Sequence, residues 1–337
     1  MIADFKVTRA QSVRIERRHW SKGFIRLGHD VQCFSYKDVM MQLSPINSTR
    51  ISSILGKKRA YKALIEIARC YHPDIIMIMA MGHMDADTVA SMRQAAPDAI
   101  FVGRDVDWFV ESDHVRISIA KKMDIVVASN AGDYLKAYKD LGVPRCAFIP
   151  CPCDPDIQHP YDVPEELTCD IIFTGKADHS QNEFDPLRYR LLEKLAARPN
   201  ARLYGCFGRP NIEGLDVFRA ISGAKIALSI NAVNNIRMYH SDRLVNNLAC
   251  GTFTLAKRVP DTDLLFREGV HVKYFDENEE FFELADWYLE HDDEREKIAR
   301  AGMDRAHKEF NCVKMAQHVM DLIDNGEYHA EWAYTIG

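Results

Sequence analysis

The sequence predicts an α/β protein built from two Rossmann-like domains in tandem, and three observations carry that expectation. At 337 residues the chain exceeds the roughly 250–300 at which one hydrophobic core stops growing. Apolar runs of strand length alternate with longer segments of helical period, the pattern of parallel strands joined by crossover helices. Midway, Cys151-Pro-Cys-Asp-Pro-Asp-Ile-Gln-His-Pro160 is rich in Pro and polar residues and has no period, so it reads as a linker between two such series.

In the first series, strands are expected near residues 3–7, 31–34, 74–78, 100–102, 125–128 and 146–149, with helices near 13–27, 52–71, 86–95 and 131–141. The second alternates through 169–174, 187–197, 201–204, 214–221, 226–230, 243–250, 253–256 and 272–275. A helical tail follows at 279–289, 292–310 and 313–323. Ligands of open α/β sheets bind beyond the carboxyl ends of the strands, so two such domains facing across a cleft place the expected site there.

Composition excludes several classes. With 47% hydrophobic and 27% charged residues the chain is neither disordered nor fibrous. No apolar run approaches the roughly 18 residues that span a bilayer, and residues 1–10 hold no apolar signal region, so a cytoplasmic protein is expected. Nine Cys at irregular positions point to reduced, mostly buried thiols. Net charge is −6, but residues 1–72 carry +9 and the remainder −15. That basic front can draw an anionic partner or can be a solvated helix face; no nucleic-acid-reading motif accompanies it, so nucleic acid ranks low.

The most informative segment is His240-Ser-Asp-Arg-Leu-Val-Asn-Asn-Leu-Ala-Cys-Gly251. Ser241 is a good N-cap, Leu244, Val245, Leu248 and Ala249 form one apolar face, and Gly251 ends the helix. A capped helix start pointing into a cleft suits a phosphate, because its free N–H groups and its dipole both favour negative charge. Arg243 in the first turn can add a charge-assisted fork to a diphosphate, or can simply lie on the surface. Two Gly loops sit at other strand ends: Thr174-Gly175-Lys176, where Lys176 can neutralise a leaving diphosphate, and Tyr204-Gly205-Cys-Phe207-Gly208. Cys151-x-Cys153 with His159 lacks a fourth zinc ligand at structural spacing, so no metal is expected.

The run from Ser241 to Leu255, followed by Leu264-Leu-Phe-Arg-Glu-Gly-Val-His-Val-Lys-Tyr-Phe-Asp276 and by Ala285-Asp-Trp-Tyr-Leu-Glu-His-Asp-Asp-Glu-Arg-Glu-Lys-Ile-Ala-Arg-Ala-Gly302, resembles the C-terminal domain of group 1 glycosyltransferases, nearest the spore-maturation-type branch. The likeness covers roughly residues 168–325 and extends more loosely to the first half. It implies the GT-B fold: an N-terminal acceptor domain at 1–155, a nucleotide-sugar donor domain at 156–312, and a helical segment at 313–337 that packs back on the first. It also implies that the helix from Ser241 holds the donor diphosphate, with Asp242 and Arg243 in its first turn. Asn231, Asn234, Asn235 and His240 fall where the family contacts the donor sugar, and Gly205 and Phe207 at the level of the nucleobase. Asn246 stands where many members have a ribose-binding Glu, and Met238 where retaining members have a second Glu, so retaining stereochemistry is not implied.

An acceptor hydroxyl must lose its proton as it attacks the anomeric carbon. Asp105, Asp107 and His83, in loops after the 100–102 and 74–78 strands, are the candidates for that base; capping or backbone hydrogen bonding is the structural alternative for such loop residues. Basic, amphipathic 48–71, with Arg50, Lys57, Lys58, Arg59 and Lys62, suits an anionic membrane and a lipid-linked or cell-envelope carbohydrate acceptor. The expected activity is metal-independent sugar transfer from a nucleotide-diphosphate donor, with no cofactor. A nucleotide-sugar epimerase or hydrolase, and a non-catalytic nucleotide-sugar-binding protein, are the alternatives.

Overall fold

The computed structural model describes residues 1–5, 15–46, 51, 54–79, 81–107, 113–177 and 186–337. The chain divides into two compact units, Met1–Ile149 with Met315–Gly337, and Pro150–Lys314.

The first unit holds β1 (Ile2–Ala3), β2 (Phe34–Ser35), β3 (Ile75–Ile78), β4 (Ile100–Asp105), β5 (Ile125–Ala128), β6 (Arg145–Phe148) and β12 (Thr335–Ile336). They form one sheet in the order β12-β6-β5-β4-β3-β1-β2, parallel throughout except for β12, which runs antiparallel to β6. Crossovers are α1 (Ile15–Arg26), α2 (Tyr36–Gln42), α3 (Lys57–Tyr71), α4 (Ala86–Ala95), α5 (His114–Ala120) and α6 (Asp133–Asp140). Central strands buried on both faces read as unbroken apolar runs, as Ile76–Ile78 and Ile125–Ala128 do.

The second unit holds β7 (Cys169–Thr174), β8 (Ala201–Tyr204), β9 (Ala224–Ser229), β10 (Phe253–Lys257) and β11 (Lys273–Phe275), all parallel, in the order β11-β10-β9-β7-β8. Its helices are α7 (Pro186–Ala196), α8 (Leu215–Ser222), α9 (Asp242–Ala249), α10 (Asn278–Glu290) and α11 (Asp292–Glu309). Phe173, Leu191, Leu195, Ile226, Leu228, Leu255, Phe275 and Phe281 pack in one core. Strand order reverses between β7 and β9, so the crevice for a ligand opens beyond Thr174 and Ser229. The α9 helix stops in a Schellman turn: Gly251 (φ +72°) donates to Leu248 O and Thr252 to Asn247 O.

Several expectations need correction. The strand expected at 3–7 is β1, Ile2–Ala3, and residues 6–14 lie outside the described ones. The strand expected at 31–34 begins only at Phe34. β4 runs three residues further than predicted, so Asp105 is its last residue rather than part of a loop. Two short helices went unread. For α2 a signal existed, Ser35-x-x-Asp38, and the Ser35 hydroxyl does bond the Asp38 carboxylate. For α5, Asp113 caps the Arg116 N–H at 3.0 Å.

The 151–160 segment is not a free linker but part of the second unit. Cys153 and Gln158 are fully buried; Cys153 N–H donates to Phe310 O and Cys312 N–H to Cys153 O, both at 2.8 Å. Helix α12 (Cys312–Asp324) then carries the chain into the first unit, where the Arg145 guanidinium donates to Leu322 O at 2.6 Å and the Tyr328 hydroxyl to Phe148 O. All nine Cys are free thiols, seven of them buried.

Candidate functional site: an arginine-lined crevice in the second unit

Arg243 organises the crevice. Its Nε–H donates to Thr174 O at 2.6 Å and its Nη1 to Ile230 O at 2.9 Å, tying together the ends of β7 and β9. The guanidinium lies over the Phe173 ring, 4.7 Å from its centroid, and Arg188 in the first turn of α7 lies over the same ring at 5.7 Å. Burial pushes the Arg243 pKa down to about 9, with repulsion from Arg188 second, which still leaves it protonated at neutral pH. Among the described residues it forms no ion pair with a carboxylate. Two cations in first turns of helices, where the dipole disfavours them, make a setting that an anion relieves.

Gly175 is required by this packing. It has φ +147°, and a Cβ there would stand 2.4 Å from Arg243 Nη2. Gly205 (φ +80°) brings its backbone close to that of Gly175: a Cβ would lie 3.2 Å from Gly175 O and 2.5 Å from Asn211 Oδ1. Phe207, half-buried, has φ +52° and meets Tyr189 edge-on at 5.3 Å. Lys176 is exposed.

Ser241 occupies the N-cap position in extended conformation, but its side chain makes no capping bond, contrary to expectation. Its hydroxyl faces Arg243 Nη1 at 3.3 Å instead. Asn231 positions the turn, its Oδ1 accepting from Ser241 N–H at 3.1 Å and its Nδ2 donating to Tyr239 O at 3.2 Å. Asn234 Oδ1 in turn accepts from Asn231 N–H. The first turn of α9, with Asp242 half-buried, is thus left without a side-chain cap.

Two predicted donor contacts are committed elsewhere. His240 is 1% exposed; Nε2 accepts from Cys151 N–H at 3.3 Å, which makes Nδ1 the donor to Met238 O at 3.1 Å. The ring therefore pins the chain at Cys151 rather than presenting a nitrogen to a ligand. Asn246 Oδ1 accepts from Gln158 Nε2. Met238 is buried in the left-handed region with φ +53°.

The candidate bases belong to the first unit. Asp105 is 6% exposed and accepts from the Tyr138 hydroxyl, from Arg116 Nη1 at 3.4 Å and from Asp107 N–H at 3.3 Å. Burial raises its pKa, while Arg116 and the Tyr138 bond oppose the rise. Asp107 is exposed. His83 ends the 3-10 turn Met81–His83, and its side chain lies outside the described residues. Asp85, two residues after His83, caps α4, accepting from Thr88 N–H at 2.8 Å.

Sequence reasoning missed Arg188, Gln158, Arg116 and Tyr138. Only Arg188 left a signal, an arginine in the first turn of a helix. Among the described residues no group of three or more His, Cys, Asp or Glu is placed to hold a metal, and no helix is long and apolar enough to cross a membrane.

Two Rossmann-like units with these sheet orders define the GT-B fold, the fold of its structural neighbours. Residues 188–321 match the model of the glycosyl transferase-like family. No curated protein matches the chain. Among solved structures it is similar to HepE from Anabaena in complex with UDP and glucose, with TM-score 0.59 and 13% identity over 90% of this chain and 89% of that one. A glycosyltransferase from Rickettsia africae is similar at TM-score 0.56 and 13% identity, over 96% and 98%. The sucrose-phosphate synthase from Thermosynechococcus elongatus follows at 0.52 and 13%, over 79% and 77%.

Proposed function

We propose that the protein is a glycosyltransferase that takes a sugar from a nucleoside-diphosphate donor bound in the second unit. The observation that carries this reading is Arg243, a half-buried guanidinium with no carboxylate partner among the described residues, beside a helix start with no side-chain cap at the β7/β9 switch point. The diphosphate occupies that corner: backbone N–H groups of the first α9 turn and the Arg243 fork meet the charge that grows on the leaving group. The family match over 188–321 covers these residues, and HepE carries UDP and glucose, which makes a uridine nucleotide the first donor to try.

Asp105 serves as the base for the acceptor hydroxyl, its pKa raised by burial toward the range where a carboxylate accepts protons well. The reaction needs no metal, because the arginines supply the positive charge. The acceptor is a carbohydrate of the cell envelope or a lipid-linked precursor. Ile54, 73% exposed, and Leu55, 46% exposed, precede the exposed cations Lys57, Lys58 and Arg59, an arrangement suited to the inner face of an anionic membrane.

The test is calorimetric titration with UDP, UDP-glucose, GDP and uridine, each with chelator present. Nucleoside diphosphates are expected to bind and uridine not to; equal binding of uridine and UDP rejects the diphosphate corner. Release of free sugar from the donor without acceptor identifies a hydrolase, and a donor left intact with every acceptor identifies a binding protein.

A further inference from the structure

A polar cavity of about 590 Å³ lies in the second unit at the amino ends of its strands, where β7, β9 and β10 begin at Cys169, Ala224 and Phe253. Ligands of open α/β sheets ordinarily bind beyond the carboxyl ends, where the Arg243 crevice is, so the donor site makes no use of this cavity.

Two arginines line it with donors to spare. Arg295 of α11 is 7% exposed, and one nitrogen does its bonding: Nη1 donates to Tyr288 O at 2.7 Å and stands 2.6 Å from Asp292 Oδ1. Its Nε and Nη2 have no hydrogen-bond acceptor among the described residues, and protein does not close them off. Arg202, half-buried on the edge strand β8, makes no side-chain hydrogen bond or ion pair among the described residues. The carboxylate in the same cavity, Asp170, is already taken, Oδ1 by Lys225 at 2.8 Å and Oδ2 by Asn200 Nδ2 at 2.9 Å. Lys225 chiefly, with Asn200 and Arg295 adding to it, holds that carboxyl below the usual carboxylate range.

The lining sorts the ligands that fit. The free edge of a guanidinium matches two oxygens of one phosphate. Helices α8 and α9 both end at the cavity, beside Gly223 and Gly251, and helix carbonyl ends, like Asp170 and Glu296, accept from hydroxyls and repel further negative charge. One anionic group on a hydroxylated body satisfies both sets of groups; a polyphosphate meets the carboxylates, and a bare anion leaves them without donors. We propose that this cavity is a second binding site, for a sugar monophosphate, with its phosphate on Arg202 and Arg295 and its hydroxyls toward Asp170 and the helix ends. The volume lies within the range of small-molecule sites.

The experiment is calorimetric titration of the full chain with glucose 6-phosphate, inorganic phosphate and glucose, each with and without saturating UDP. Glucose 6-phosphate is expected to bind about tenfold or more tightly than either fragment, and equally with UDP present. Arg202→Gln is expected to weaken it about tenfold, the loss of a charge-assisted contact, and to leave UDP affinity unchanged; Arg202 makes no side-chain bond on which folding depends. Arg295→Lys keeps the charge, loses the fork and is expected to weaken binding by a similar factor, with thermal unfolding as the control for its bond to Tyr288. Failure of glucose 6-phosphate to bind overturns the proposal, as does binding that both variants retain in full. Displacement by UDP places the sugar phosphate in the donor crevice and overturns it, and phosphate binding as tightly as glucose 6-phosphate reduces the cavity to an anion site and overturns it too. If UDP itself fails to bind, the donor reading falls while the two arginine variants still decide this site.

Discussion

Arg243 does two jobs with different consequences for substitution. Its Nε and Nη1 hold the carbonyls of Thr174 and Ile230, and the guanidinium charge meets the proposed diphosphate. Arg243→Lys keeps the charge and loses the fork, so UDP affinity is expected to fall at least about tenfold in calorimetry, the loss of a charge-assisted hydrogen bond. At Gly175 a Cβ would stand 2.4 Å from Arg243 Nη2 at φ +147°. Gly175→Ala is therefore expected to cost about 2 kcal/mol in denaturant unfolding and to weaken UDP binding with it. Asp105 sets a pH dependence of definite sign. Its folded pKa is raised, so its contribution to stability is greatest below the ordinary carboxylate range and is lost as pH rises through the folded value. The same ionisation makes it a base, so transfer activity should rise with pH over that interval. Asp105→Asn is expected to abolish that limb of the rate profile and flatten the matching part of the stability profile; an unchanged activity profile removes Asp105 from the chemistry.

Helix α9 is the element on which the site depends, and its two ends are held differently. At its start the Asn231 side chain accepts from the Ser241 N–H, and the first turn has no side-chain cap. At its end Gly251 makes the Schellman turn, with a Cβ there 2.8 Å from Pro160 Cγ. Gly251→Ala is expected to destabilise the second unit by about 1–2 kcal/mol, measured by thermal or denaturant unfolding, from strain at positive φ and from that contact. The helix and its Gly stop were legible in the sequence because the apolar face, the breaker and the next strand follow one another locally. The partner of each polar group was not. Ser241 looks like a cap from its neighbours alone, yet Asn231, ten residues away, takes the position because the turn at 231–239 folds back on the helix start.

On the scale of the whole chain, each unit is completed by segments distant in sequence. The Cys151–Pro160 stretch packs against α11 and α12 through Cys153, and residues 315–337 complete the first unit with β12, Tyr328 and Trp332. Trp332 meets Phe148 edge-on at 5.8 Å, and β12 covers the β6 edge. Deleting residues 315–337 is expected to unfold the first unit, seen as lost hydrogen-exchange protection in β5 and β6, while protection in β7 and β9 persists.

Local order in the chain was sufficient for the succession of strands and helices, for two Rossmann-like series, and for the helix at 242–249 with Arg243 in its first turn, because apolar periodicity, Gly stops and Pro runs are written over a few neighbouring residues. The tertiary structure alone decided what each polar side chain does. It placed Arg188 beside Arg243 on one aromatic ring, joined His240 to Cys151 and Asn246 to Gln158, and set Tyr138 and Arg116 on Asp105. Those pairings span from 11 to 89 residues of sequence. They arise because a buried polar group must find a hydrogen-bond partner wherever the packed backbone brings one, and no local pattern records that meeting.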